Sequence, residues 1–240
     1  MASTRSCISW MYTAFACVLG LISPYLDYSW DYWWTLIPLG LCVNAFDFVI
    51  SDRPWKNLEI MKRNGFTMTY IWTVSIINIA YFNFSAYYTW RVMLREETLT
   101  PRFDVSLVLT VVIILVIGDY LFYAAHKWLH STNIGARLHL MHHCCIHTSL
   151  TTNTWFHPLD FLIEFFGPFS LNLAWWHISG DTFAFMVTGS IMQTWYSMTH
   201  DENISNHHGD HHRLVNSDYP IYLSYNVPNP KDKVKHMIQY

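Results

Sequence analysis

Imidazole is a ligand that a protein can bury, aim and keep neutral, and this chain concentrates it. Of its 14 histidines, 13 lie between His126 and His212, and the first 125 residues hold none. They gather in three runs: His126-Lys-Trp-Leu-His130, His139-Leu-Met-His142-His143 and His208-Gly-Asp-His211-His212. The i, i+4 spacing of His126 and His130 puts both rings on one helical face, about 6 Å apart along the axis, a gap that one metal ion can bridge. In the second run His139 shares a face with His142 or His143, while the adjacent pair fans apart by about 100°. The third run repeats that spacing. Eight imidazoles in the pattern HxxxH, HxxHH, HxxHH exceed a four-ligand tetrahedral zinc site and suit a pair of ions, each with an open position. For any one histidine, scattered surface polarity is the plainer reading. Three dense runs are harder to explain that way.

The elements that must position these rings are apolar. Hydrophobic residues make up 52% of the 240-residue chain, aromatics 18% and charged residues 13%, where a soluble domain carries about 25% charged residues. Long uncharged runs alternate with short charged ones, the pattern of a membrane protein. Candidate spans are Cys7–Ile22, Trp33–Ile50, Phe66–Tyr88, Val105–Tyr123, Phe161–Ile178 and Phe183–Met198, judged against the roughly 20 residues a crossing helix needs. The last two are short and separated only by Ser179-Gly180-Asp181, so they read as a hairpin that enters the bilayer and returns. Ala14-Phe15-Ala16 offers a signal-cleavage site, but the apolar run continues past it, which favours an uncleaved first span. The expected fold is an all-α membrane protein of about four transmembrane helices plus a membrane hairpin, capped by a cytosolic histidine-rich helical region. Residues 1–104 supply N-terminal helices and loops, and residues 105–240 the histidine-bearing region, within one integrated domain.

This layout puts His126 and His130 on the continuation of the Val105–Tyr123 span. Asp119 lies seven residues before His126, two turns back on the same face. Intramembrane carboxylates are costly and usually serve a site. Asp119 is therefore a candidate acceptor that orients a ligating imidazole, with a helix-interface hydrogen bond as the structural alternative. If the hairpin returns, all three runs face one side of the membrane. Arg53, Lys56, Lys62 and Arg63 in one loop and Arg213, Lys231, Lys233 and Lys235 in the tail make that side cytosolic. Arg91, Arg95 and Arg102 fall outside and suit an amphipathic interfacial helix; the sequon Asn203-Ile-Ser205 then goes unused. The net charge of −3 gives no sign of nucleic-acid binding, and the five cysteines form neither a disulfide framework nor a zinc pair.

The same residues resemble the fatty acid hydroxylase and sterol desaturase superfamily of membrane di-metal oxygenases. "DYLFYAAHKWLH" is similar to its Asp-x-x-x-Tyr-x-x-His-Arg-x-x-His signature, with Lys127 in the arginine position, and "HLMHH" and "HGDHH" match its two HxxHH boxes. "FHPLD" (Phe156–Asp160) resembles a segment of sterol C5-desaturases, including the spacing of His157 from His143, and "THDENIS" (Thr199–Ser205) resembles the segment closing their hairpin. The chain departs from them in a shorter stretch between His200 and the last box and in its tail, which leaves the substrate open.

The resemblance covers roughly residues 105–225. It implies metal ligands at His126, His130, His139, His142, His143, His208, His211 and His212, with His200 as an additional one. His207, His147 and His157 stand close enough in sequence to be ligands or neighbours. His177, about 25 Å away along the hairpin, is expected not to be a ligand, and His236 to be solvated. Imidazole binds iron, zinc and copper alike. The family implies two non-haem iron ions, with zinc able to replace them in purified protein, and O₂ as co-substrate for hydroxylation or desaturation of a sterol or other long-chain lipid. It also implies an endoplasmic-reticulum location and electrons from a b-type cytochrome and its reductase, since no flavin or dinucleotide fingerprint is present. Lys231, Lys233 and Lys235 could dock that donor, although a solvated tail is the plainer reading. A catalytically silent member with a structural metal and a histidine-rich metal transporter are the alternatives; the latter calls for ligands near the midplane and repeat symmetry.

Overall fold

The computed structural model describes residues 36–88, 101–200, 207–214 and 233–239. The segment 7–22, Arg91, Arg95, the 203–205 sequon and Lys231 lie outside the described residues. Among those described there is no strand. The helices are α1 (Leu36–Ile50), α2 (Arg53–Arg63), α3 (Met68–Tyr88), α4 (Val105–Ser131), α5 (Asn133–His143), α6 (Pro158–Ser179), α7 (Thr182–Thr199) and α8 (His207–Leu214), with a 3-10 turn over Leu150–Thr154.

Helix α4 is the longest, and local chemistry fixes both of its ends. Asp104 caps the start by accepting from the Leu107 N–H at 2.8 Å, which satisfies one of the free donors of a first turn. At the other end Thr132 closes α4 and opens α5, its hydroxyl accepting from the Gly135 N–H at 3.0 Å. A β-carbon on Gly135 would stand 2.6 Å from the Leu129 Cα, so only glycine permits so tight a corner. That corner folds the second histidine run back onto the first.

Among the described residues α4 is the one helix long and apolar enough to cross a membrane. Val105, Val108, Leu109, Val112, Ile113, Val116, Ile117 and Tyr120 recur at helical spacing, and all are exposed. An exposed apolar stripe of this length is foreign to a soluble surface. The other expected spans are helical but differ in quality. Helix α1 has 15 described residues, short of a crossing. Helices α3, α6 and α7 interleave their aromatics with Asn, Ser, Thr and Gln, and α6 also carries Asp160 and Glu164.

The two expected segments form a helical hairpin, α6 and α7. Pro158 starts α6 in the first turn, where its missing N–H costs nothing. The helix ends at Gly180, whose φ of 66° is the left-handed conformation a helix stop requires. Asp181 then caps α7, accepting from the Ala184 N–H at 3.1 Å, and pairs with Arg102 beside the start of α4. The hairpin turn therefore sits at the end of α4 opposite the histidines. Asn172 Nδ2 on α6 donates to the Phe185 carbonyl on α7 at 2.9 Å, holding the two arms together.

Two apolar clusters flank the histidine end. One joins Leu58, Met61, Ile71, Val74, Met141, Cys144, Cys145 and Trp155 with Val234 and Ile238 of the tail; the other joins Phe122, Phe156, Phe161 and Tyr196. The tail is thus more than a solvated appendage. Lys235 and His236 are exposed, but Val234 is fully buried. The Lys233 N–H donates to the His130 carbonyl at 2.9 Å, and Gln239 exchanges two backbone bonds with the Asn64 side chain, each 2.8 Å.

Candidate metal centre

The histidines arrive at one place from four elements. Helix α4 brings His126 and His130, α5 brings His139, His142 and His143, the end of α7 brings His200, and α8 brings His208, His211 and His212. All nine are buried, none more than 1% exposed. They sort into two sets whose ligand atoms lie within 4.8 Å of one another: His126, His130, His143 and His211, and His142, His200, His208 and His212. The adjacent pairs are split between the sets. His143 and His211 join one, His142 and His212 the other, because neighbours on a helix point about 100° apart. Spacing alone had indicated that such pairs can feed two ions.

Distances within the first set test whether an ion fits. The Nε2 atoms of His126, His130 and His211 form a nearly equilateral triangle with sides of 3.1, 3.1 and 3.2 Å. Nitrogens held at right angles about 2.1 Å from an ion lie about 3.0 Å apart. Protons do not account for the packing. Each Nε2 carries one hydrogen or one lone pair in the ring plane, yet that of His126 meets the Nε2 atoms of His130, His139 and His211 at 3.0–3.1 Å. A cation satisfies several converging lone pairs together.

In the second set, His142 lies flat against Phe156 with ring centroids 3.8 Å apart. Neither of its buried nitrogens has a hydrogen-bond partner among the described residues. His200 donates from Nδ1 to the Tyr196 carbonyl at 2.8 Å, which leaves the buried Nε2 without a partner among the described residues and aims its lone pair away from α7. Burial, reinforced by neighbouring imidazoles, holds His142, His143 and His212 well below the ordinary histidine pKa of 6.5. Burial brings His200 down to about 4, although its bond to Tyr196 works in the opposite sense. These rings are neutral at physiological pH, the form in which imidazole binds a metal.

Two carboxylates complete the site, both from α6. Asp160 is fully buried and accepts from His139 Nδ1 with its two oxygens at 2.9 and 3.0 Å. That bond fixes the tautomer, so the Nε2 lone pair of His139 points at the cluster. Glu164, one turn later on the same face, places Oε1 3.5 Å from His126 Nδ1 and 3.8 Å from His139 Nε2. Tyr196 donates to its Oε2 at 3.3 Å. Sequence reasoning missed both roles. The rule that drew attention to Asp119 applies equally to an Asp160/Glu164 pair at the mouth of an apolar helix. Asp119 itself is fully buried on α4.

The remaining candidates fall elsewhere. His157 is the N-cap of α6, its Nδ1 accepting from the Leu159 N–H at 3.2 Å. The His147 backbone is held by Asn57 through bonds of 2.8 and 3.1 Å. Neither belongs to the ion-sized sets among the described residues. His177 is exposed in the last turn of α6, about 20 Å along the helix from Glu164. His207 begins α8, and its side chain lies outside the described atoms.

No protein-family model, curated protein or solved structure matches the chain. What the site can do therefore rests on its own geometry. Buried histidine groups stand positioned to bind metal, at one end of a helix long and apolar enough to span a membrane.

Proposed function

We propose that the protein is an O₂-dependent membrane oxidoreductase, a hydroxylase or desaturase of a sterol or other long-chain lipid, built around two histidine-bound iron ions. The observation that carries this reading is the division of the histidines into two buried four-nitrogen sets beside an apolar helix. The three histidine boxes supply the resemblance to the fatty acid hydroxylase and sterol desaturase superfamily. Neutral nitrogen donors accept iron, zinc or copper; the resemblance selects iron.

In this reading His126, His130, His143 and His211 would hold one ion, His142, His200, His208 and His212 the other, and His139, aimed by its bond to Asp160, would join the first. When bound, a reduced iron pair supplies the capacity to activate O₂ for oxidation of an unactivated C–H bond. The chain's own residues do the rest. Phe122 against His126 and Phe156 against His142 wall the histidines with apolar surface and exclude water. The corner at Gly135 and the cap at Thr132 keep the first two runs in register. Helix α4 crosses the bilayer with its valine and isoleucine stripe toward lipid, and the α6–α7 hairpin descends and returns beside it. Helix α3 supplies a further span. The histidine end faces the cytosol of the endoplasmic reticulum, where a b-type cytochrome and its reductase deliver electrons.

Gathering of the ligands at one end of the helices, away from the midplane, weighs against a transporter. The test is direct. Full-length protein purified in detergent, loaded with iron and given electrons and a membrane lipid extract, should consume O₂. Lipid mass spectrometry should then reveal products gaining one oxygen or losing two hydrogens. Iron-loaded protein that consumes no O₂ with any lipid fraction contradicts the reading and leaves a structural metal site.

A further inference from the structure

The histidines described so far form an all-nitrogen centre, and one side chain does not fit that description. Glu164 is 1% exposed, and its Oε1 has no hydrogen-bond partner among the described residues. A carboxylate within an apolar helix is costly unless something pairs with it. The other oxygen is engaged, since Tyr196 donates to Oε2 at 3.3 Å. This bond turns Oε1 away from α7 and toward the histidines, where it lies 3.5 Å from His126 Nδ1 and 3.8 Å from His139 Nε2. One atom each from His126, His139 and Glu164 falls within 4.8 Å of the others, so together they form a third ion-sized set.

Charge points the same way. Neutral imidazoles bring no charge to a divalent ion, and a centre built from them alone leaves a buried cation uncompensated. Both oxygens of Asp160 are already engaged by His139 Nδ1. Glu164 has an oxygen to offer. Its position one turn along α6 from Asp160, beside the Phe161–Phe165 stack, places it on the apolar side of the histidines.

We propose that Glu164 is a metal ligand, its Oε1 coordinating the ion shared with His126 and His139, so that the centre is a mixed nitrogen–oxygen site. The proposal rests on the metal-binding part of the functional reading above and concerns the oxygen donor that reading omits. A carboxylate ligand favours harder divalent ions over copper(I) and lowers the net charge that the apolar surroundings must bear. Tyr196 acts as a positioning residue that sets the carboxylate's orientation.

The experiment uses full-length protein in detergent, stripped of metal and titrated with cobalt(II) against a competing chelator. Glu164→Gln keeps the size of the side chain and an oxygen for Tyr196 but removes the charge. An orienting partner outside the ligand sphere already contributes about 10- to 100-fold in metal affinity, so Glu164→Gln is expected to lose at least about tenfold and to change the cobalt visible spectrum. Tyr196→Phe should retain the spectrum with a smaller loss. Infrared difference spectra of the wild-type chain carrying carboxyl-¹³C glutamate give the same decision without a variant, since a coordinated carboxylate shifts its stretching bands when metal binds. Wild-type protein that loads cobalt with unmoved glutamate bands overturns the ligand assignment, as does a Glu164→Gln variant of unchanged affinity and spectrum. Wild-type protein that binds no metal overturns the underlying reading, and this proposal with it.

Discussion

His211 Nε2 stands 3.1 Å from His126 Nε2, although 85 residues separate them in the chain. Nothing in the local backbone requires that approach. It depends on α6 leaving the histidine end, turning at Gly180 and returning through α7 to His200, from which α8 follows. The hairpin is thus the device that delivers the last histidine run to the first.

The bond from His139 to Asp160 gives the first prediction. Asp160→Asn keeps the shape but loses the anionic acceptor that fixes the His139 tautomer. Metal affinity should fall about 10- to 100-fold, the usual effect of losing such a partner, while helix content stays unchanged. Chelator competition on purified protein measures it. Affinity equal to wild type would show that His139 needs no orientation from α6.

Acid should destabilise the metal-free chain, and the direction follows from the buried imidazoles. His142, His143 and His212 are held below 6.5 in the folded protein, and His200 is held at about 4. As pH falls below about 6.5 the unfolded chain takes up protons that the folded chain refuses, so folding stability declines. Above that pH the contribution is complete; below it, stability drains away through the window ending near 4 for His200. The thermal midpoint of metal-free protein in detergent should be lower at about pH 5 than at about pH 7.5, and His200→Ala should shrink the difference. A midpoint that rises on acidification would mean that the rings are not buried as described.

The exposed stripe of α4 makes a separate prediction about the bilayer. Val112 lies mid-helix and half exposed, and an arginine at the centre of a crossing helix costs about 2.5–3.5 kcal/mol. Val112→Arg should therefore reduce the fraction of protein retained in alkali-washed membranes. Val105→Arg, at the helix end beside Arg102, should be tolerated. Equal retention of the two variants would place that face in water.

Much of this was legible in the residues, and what was not has physical causes. The i, i+4 and HxxHH spacings encode which rings share a helical face, so eight of the nine buried histidines follow from spacing, and His200 from the family resemblance alone. Ser179-Gly180-Asp181 marked the hairpin turn because glycine takes a positive φ there at little cost. Asp160 and Glu164 went unassigned because their partners, His139 and His126, are 21 and 38 residues away, and such pairing depends on tertiary packing. His157 matches a family spacing from His143, and in the fold its Nδ1 caps α6, outside the ion-sized sets of the described residues. The conspicuous lysines of the tail suggest a solvated segment, whereas its Val234 and Ile238 belong to the core. The expected number of crossing helices was larger than the one that meets the requirement among the described residues, since aromatic-rich helices with interleaved amides are apolar enough to suggest a span but not to guarantee one.

Metal content of purified, full-length variants tests the convergence of the histidines most directly. Wild-type protein should carry about two ions per chain, one for each four-histidine set. His211→Ala and His142→Ala should each lose the ion of their own set, and His177→Ala, exposed at the far end of α6, should lose none. A His142→Ala protein that retains full occupancy, or a wild-type chain that holds no ion, would contradict a two-set centre.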